Sequence, residues 1–230
     1  KIELLMKLRR FMQQSRENYK HKDFVLAIMA GFIVGFGAIA MLSTENVYLG
    51  SFLFSGALFI ILSLKYNLFT GMVGYYFYNE RKSFIKRLLR VLLGNLIGTF
   101  IIASLIKLTR VGPFLVEEAQ ARTDLKLSDS LGSMFILAIF CNMFVTNATH
   151  QFKYNPYQIG KYLAIFISIM TFVLSNFEHS IADSFFFFLA GAFNKEAVLA
   201  FLVVLAGNII GGLVIPTVAL IYEDTFRLQG

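Results

Sequence analysis

One cysteine, Cys141, stands in 230 residues, which excludes an internal disulfide and any cysteine cluster around a metal. Proline is down to three residues and charged side chains to 15%, against roughly 25% charged in an ordinary soluble domain. The opening stretch "KIELLMKLRRFMQQSRENYKHKD" lacks the short basic region and apolar run of a cleavable signal, so the membrane helices themselves are expected to direct insertion. A formal charge of +7 raises the question of nucleic acid. The basic residues cluster between hydrophobic runs, however, with no aromatic-interleaved basic stripe, and this excludes a nucleic-acid partner.

What is abundant is apolar surface. The sequence is 57% hydrophobic, contains 26 Phe and has a mean hydropathy of +0.67, the profile of an all-α integral membrane protein. A hydrocarbon core of about 30 Å needs about 20 apolar residues per helix. Six candidate spans satisfy this: Phe24 to Leu42, Tyr48 to Tyr78, Val91 to Leu108, Leu131 to Thr149, Ile159 to Phe193 and Ala197 to Tyr222. The second and fifth are too long for one crossing and are interrupted, by "KYNLFTG" and by "SNFEHSIAD". Lys and Arg number fifteen on the side holding both ends of the chain and five on the other, which places both termini in the cytoplasm of an inner or plasma membrane. The N-terminal "LLMKLRRFMQQ" reads either as an interfacial helix or as a solvated tail.

The halves repeat. "GNLIG" from Gly94 returns as "GNIIGG" from Gly207, 113 positions later, and the interruptions around Thr70 and Ser180 lie 110 positions apart. Three spans per half is an odd number, so the second half enters the membrane in the opposite sense, giving an inverted 3+3 repeat with broken second and fifth helices. The expected division is a single membrane domain: residues 1–23 a cytoplasmic segment, 24–108 the first repeat, 109–130 an extracytoplasmic connection, 131–222 the second repeat and 223–230 a tail. Broken helices in matching places point to a central translocation site. The glycines have a plainer reading beside that, close approach of helix backbones.

Glu178, His179 and Asp183 fall inside the fifth apolar run, where an ionisable group costs several kcal/mol by insertion scales and faces a protein interior or a polar pathway. His179 is either a histidine hydrogen-bonded between helices, to Glu178 or to a hydroxyl, or a pore residue. Glu178 and Asp183 fit acceptors for exposed backbone at the break better than catalytic carboxylates, and neither an enzyme nor a cofactor is suggested. His21 and His150 lie near the cytoplasmic ends, which leaves no partner set for a haem or other metal.

"LFTG" at Leu68, "CN" at Cys141 and Asn142, "FEHSIA" at Phe177 and "GNIIGG" at Gly207 together resemble the formate/nitrite transporter family, in order and across essentially the whole chain. The resemblance implies an aquaporin-like protomer, a homopentamer in the lipid bilayer with one pore per protomer, and passage of small monovalent anions or their acids. It marks His179 as similar to the family's central pore histidine, with Thr70 opposite and Asn142 in the same set. Lys126, sixteen positions before Asn142, matches a lysine of the extracellular vestibule, where it would concentrate anions. Phe54, Leu58 and Phe69 from the first half and Val145 and Phe172 from the second match the apolar constrictions. Two positions depart from the family: Asn67 where an acid commonly precedes "LFTG", and Asp183 where an asparagine closes "HSIAN". Lys65 before the first break is a further departure, expected to offset a buried carboxylate. The function implied is a channel or proton-linked transporter for formate or a similar monocarboxylate. A nitrite or hydrosulfide channel of the same family, or a membrane anchor of a redox complex, is the alternative.

Overall fold

The computed structural model describes the backbone of residues 2–227 and the side chains of residues 20–222. The apolar face expected for "LLMKLRRFMQQ" lies outside the described side chains. The described residues form nine α-helices and one 3-10 turn: α1 (Ile2–Leu42), α2 (Val47–Ser63), α3 (Phe69–Val73), the turn Tyr76–Tyr78, α4 (Arg81–Lys107), α5 (Gly112–Leu127), α6 (Leu131–Tyr154), α7 (Gln158–Leu174), α8 (Ser180–Ala190) and α9 (Lys195–Arg227). Four segments are long and apolar enough to cross a membrane: Lys20–Leu42, Arg81–Lys107, Leu131–Tyr154 and Lys195–Tyr222. Helix α1 runs on without a boundary at residue 23, and the connection 109–130 is largely the helix α5.

The overlong apolar runs divide where the sequence turns polar. After α2 the chain tightens through Leu64 N–Ile60 O, Lys65 N–Leu62 O and Tyr66 N–Ile61 O, with Lys65 at φ 58°. After α7 it does the same through Ser175 N–Thr171 O, Asn176 N–Val173 O and Phe177 N–Phe172 O, with Asn176 at φ 52°. Asparagine visits this left-handed region readily and lysine does not. Lys65 is exposed and joins no buried carboxylate among the described ion pairs.

Helix packing explains the paired glycine motifs. The most extensive helix contacts are α1 against α4 and α6 against α9. A Cβ on Gly98 would overlap the Ile28 carbonyl oxygen, and one on Gly211 would overlap that of Ile139. Only glycine lets these backbones meet so closely. The short helices cross between the pairs: α3 lies chiefly against α6 and α9, and α8 chiefly against α4 and α5. Large apolar side chains such as Leu163, Ile167 and Leu202 remain more than half exposed on the outside, as expected of a surface facing lipid or other subunits.

Candidate functional site: two interrupted helices around His179

Each interruption leaves helix-start N–H groups and chain carbonyls that need partners in an apolar interior. Two asparagines supply them. Asn95 of α4 accepts from Phe69 N at 2.8 Å and donates to Ala27 O at 2.7 Å and Asn67 O at 2.9 Å. Asn208 of α9 accepts from Ser180 N at 2.9 Å and donates to Ala138 O and Glu178 O, both at 2.9 Å. Both amides are fully buried and use every bond a carboxamide of this orientation needs to tie one helix, its neighbour and the break. Sequence reasoning missed them although both stand inside the repeated "GN" motifs; the glycines drew the attention. Asn142 adds a third tie, donating to Thr70 O at 3.2 Å and Asn208 O at 2.6 Å. It is fully buried and lines neither of the two cavities described next.

A vestibule of about 380 Å³ opens beside α5 and narrows onto His179. Beyond it lies a chamber of about 20 Å³. His179, Phe54 and Phe172 line both, so they form the wall between them. Phe54 meets Phe172 edge to face at 6.2 Å, and the His179 ring lies parallel to Phe172 at 5.8 Å. Leu58 and Val145 line the chamber, together with Leu68 and Ile61. Phe69, expected at a constriction, is buried but lines neither cavity; Leu68, one residue earlier, takes that place. The assignment of Phe69 rests on the family resemblance alone, and the chamber wall carries its neighbour, the N-cap residue of α3, instead.

The chamber admits about one water, yet His179 is the only residue on its lining with a side-chain hydrogen-bonding atom; a stable buried water wants two to four polar partners. The chamber is therefore apolar and dry in character. His179 is the N-cap of α8: its Nδ1 accepts from Ala182 N at 3.1 Å, while Nε2 lies 3.0 Å from Thr70 Oγ1. Since Nδ1 accepts, the proton of the neutral ring sits on Nε2 and points to Thr70. Of the two alternatives open in the sequence, bonding to Glu178 or to a hydroxyl, the hydroxyl is the partner. The same ring also forms part of the wall between the two cavities.

Lys126 stands beside the vestibule but not as a free cation. Its Nζ donates to Glu178 Oε2 and lies 3.0 Å from Asp183 Oδ1. Burial works against its charge, but Asp183 and Glu178 more than offset that and hold the ammonium above its ordinary pKa of 10.5. Glu178 and Asp183 thus spend their carboxylates on Lys126, and the backbone at the break is capped by Asn208 and His179 instead. Their role as acceptors for exposed backbone is corrected accordingly: a lysine from a helix 52 residues away in sequence is the stronger partner for a buried carboxylate. Arg122, not anticipated from the sequence, also lines the vestibule; desolvation lowers its pKa, partly countered by Glu118.

Asn67 lies at a different place from Asp183 altogether. Its Nδ2 donates to Asp23 Oδ1 at 2.8 Å, and Asp23 also receives Arg87 Nη2 at 2.6 Å and Nε at 3.0 Å. The acid missing before "LFTG" is supplied from α1 by Asp23, so the two departures from the family pattern are settled locally, each by its own cation.

An all-helical chain with several membrane-length apolar helices, two interrupted segments and a cavity walled by aromatics around one buried histidine defines a multi-pass membrane transport protein. The formate/nitrite transporter family model matches residues 4–222. The chain belongs to that family. It is 36% identical over 140 residues to an uncharacterized transporter, YrhG, of Bacillus subtilis (strain 168), an alignment covering 56% of this chain and 50% of that protein. The chain spans about half the length of the curated relative it matches. Two solved structures share the fold. A pentameric formate channel with formate bound has a TM-score of 0.74 at 21% identity, covering 92% of this chain and 99% of that one. An FNT family ion channel has a TM-score of 0.79 at 23% identity, covering 90% and 92%.

Proposed function

We propose that this protein is a channel or proton-linked transporter for formate or a similarly small monocarboxylate, with His179 as the group that meets the solute at the narrowest point. The observation that carries this reading is the pairing of a polar vestibule with a chamber whose only polar side chain is His179. A carboxylate entering the chamber loses its hydration without gaining a cage of donors, and the cost falls far more heavily on the anion than on the neutral acid. Low dielectric therefore favours proton uptake by the solute. The Nε2–H of His179, otherwise directed at Thr70, is the one donor placed to steady it. Formate is favoured over nitrite or hydrosulfide because one of the solved structures of matching fold over nearly the whole chain is a formate channel. Membership of a transporter family removes the ground for a redox-anchor role.

The architecture belonging to this reading is a single membrane domain of six spans arranged as an inverted 3+3 repeat. Helices α2 and α7, each of 17 residues, reach only about 26 Å at 1.5 Å per residue. They complete a crossing of about 30 Å only when joined to α3 and α8 through the breaks. The identical turns and the matching Asn95 and Asn208 bonds support the repeat. Five copies assemble, as in the pentameric relative, in an inner or plasma membrane with both termini cytoplasmic, an orientation that the fifteen-to-five distribution of basic residues supports.

Flux through proteoliposomes holding only the purified protein tests the reading, with formate, nitrite and hydrosulfide presented in turn. Formate uptake above that of empty liposomes, and faster than nitrite, is expected. Absence of uptake for all three would overturn the proposal.

A further inference from the structure

Helix α4 begins with two stripes side by side. Lys82, Lys86 and Arg90 recur at every fourth position, and Ile85, Leu89 and Leu93 do the same three residues later, which sets the apolar stripe about 60° round the helix and about 4.5 Å further along it. Both stripes face outward: Lys82 and Lys86 are exposed and Arg90 half-buried, while Ile85, Leu89 and Leu93 are 45%, 60% and 54% exposed. No ion pair among the described residues takes any of the three basic side chains. Their neighbour Arg87 turns inward to Asp23, and Glu80 gives both carboxylate oxygens to Lys82 N and Ser83 N. Arg90 is the least satisfied of the three: Nε reaches only the Lys86 carbonyl at 3.4 Å, and Nη1 is covered without an acceptor. A guanidinium donor so placed is costly and, on its flexible stem, is drawn to an anionic oxygen. By contrast, Lys153 at the end of α6 lies over the Tyr75 and Tyr154 rings at 4.6 and 5.0 Å, and Lys107 at the far end of α4 donates to Phe188 O at 2.8 Å.

We propose that this face of α4 binds an anionic phospholipid of the adjoining leaflet, its phosphate among Lys82, Lys86 and Arg90 and one acyl chain along Ile85, Leu89 and Leu93. The span from Lys82 to Leu93 is about 17 Å at 1.5 Å per residue, close to half of a hydrocarbon core of about 30 Å. The two stripes therefore fit one lipid standing in one leaflet. Topology alone asks for basic residues on one side of the membrane in any arrangement; it does not ask for three on one stripe beside a matching apolar one. A free phosphate would leave the apolar stripe unused. Nor does the charge suit a second copy of this chain. The acids at this end of the described helices, Asp23 and Glu80, are already engaged, so a neighbouring subunit brings no described carboxylate to meet three cations. A phospholipid phosphate supplies that charge, and the planar fork of Arg90 matches two of its oxygens.

Native mass spectrometry of the purified assembly, incubated in detergent with equal amounts of phosphatidylglycerol and phosphatidylcholine of the same acyl chains, reads the preference directly. Wild type is expected to retain phosphatidylglycerol over phosphatidylcholine. Lys82→Gln combined with Lys86→Gln should cut that preference about tenfold or more, the effect of losing two basic residues beside an anionic lipid. Lys153→Gln combined with Lys161→Gln removes as much charge from the same side of the membrane and should leave the preference close to that of wild type. Each variant is first shown by size-exclusion to have the wild-type assembly state; Arg90→Gln, with a smaller drop expected, carries the test should the Lys82 and Lys86 double variant fail to assemble. No preference in wild type, an unchanged preference in either assembled α4 variant, or an equal loss in the Lys153 and Lys161 control overturns the lipid site. Loss of the assembled state in both α4 variants would put a second copy on this face and overturn it as well.

Discussion

The two interruptions have the same backbone and different contents. Leu64–Leu68 and Ser175–His179 turn through the same three bonds, each passes through one left-handed residue, and each is clamped by a buried asparagine. Yet the N-cap of α3 is Leu68, which makes no side-chain cap bond, whereas the N-cap of α8 is His179, which does. One break is flanked by Asn67, Asp23 and Arg87, with Arg87 partly open to solvent; the other by Lys126, Glu178 and Asp183, all largely buried. The fold requires only the clamp and the turn. What sets the second break apart is a few side chains: His179, Glu178, Asp183 and Lys126.

That comparison breaks most severely at the clamps. Asn95→Ala and Asn208→Ala each delete three bonds and strip the buried N–H of Phe69 or Ser180 and the break carbonyl of Asn67 or Glu178 of these partners, at about 1–3 kcal/mol for each stranded group. Both variants should lose most of their folded yield in membranes, and to a similar degree. If one is tolerated and the other is not, the two breaks are not equivalent in energy.

Replacing His179 by leucine makes the second break resemble the first at its N-cap. The lost cap costs about 1 kcal/mol, so the assembly should survive in detergent with a slightly lower Tm while formate flux in liposomes is lost. The reciprocal change, Leu68→His, puts a second polar group in the chamber and is expected to admit water, detectable as an increased osmotic water permeability.

The left-handed positions sharpen the comparison at a smaller scale. Lys65→Asn should raise thermal stability by about 0.5–1 kcal/mol, and Asn176→Lys should lower it by a comparable amount, since a side chain that resists positive φ is exchanged for one that accepts it. The smallest effect belongs to the start of α4. Glu80 caps it through Lys82 N at 3.1 Å and Ser83 N at 2.7 Å, and these bonds hold its carboxyl below the ordinary 4.5. A depressed folded-state pKa adds stability that is full above the unfolded value and fades as pH falls below it. The stability gap between wild type and Glu80→Gln should therefore be small at pH 7 and close below about pH 4, as thermal melts across that range would register.

Much of this frame is legible in the linear sequence. Two apolar runs too long for one crossing, each with a polar interruption, locate the breaks to within a few residues, because hydrophobic length is a property of the sequence itself. The 113-residue return of the glycine motif is equally visible. Asn95 and Asn208 were overlooked because a lone amide beside glycine looks like a passenger until its carbonyl partners are brought from helices 68 and 70 residues away. Lys126 reads as a vestibule cation from the resemblance alone, since Glu178, which holds it, lies 52 residues further along the chain. Phe69 is marked by the resemblance alone, while the chamber wall carries its neighbour Leu68.

His179 carries the central claim: it is the sole polar side chain lining the chamber through which the proposed path runs. The most direct test is the rate of formate uptake by proteoliposomes containing His179→Leu, verified to have the wild-type assembly state and compared at equal protein density with wild type. The account predicts a rate close to that of empty liposomes. Uptake at the wild-type rate would contradict it, for the solute would then be crossing this protein by a route that does not pass His179.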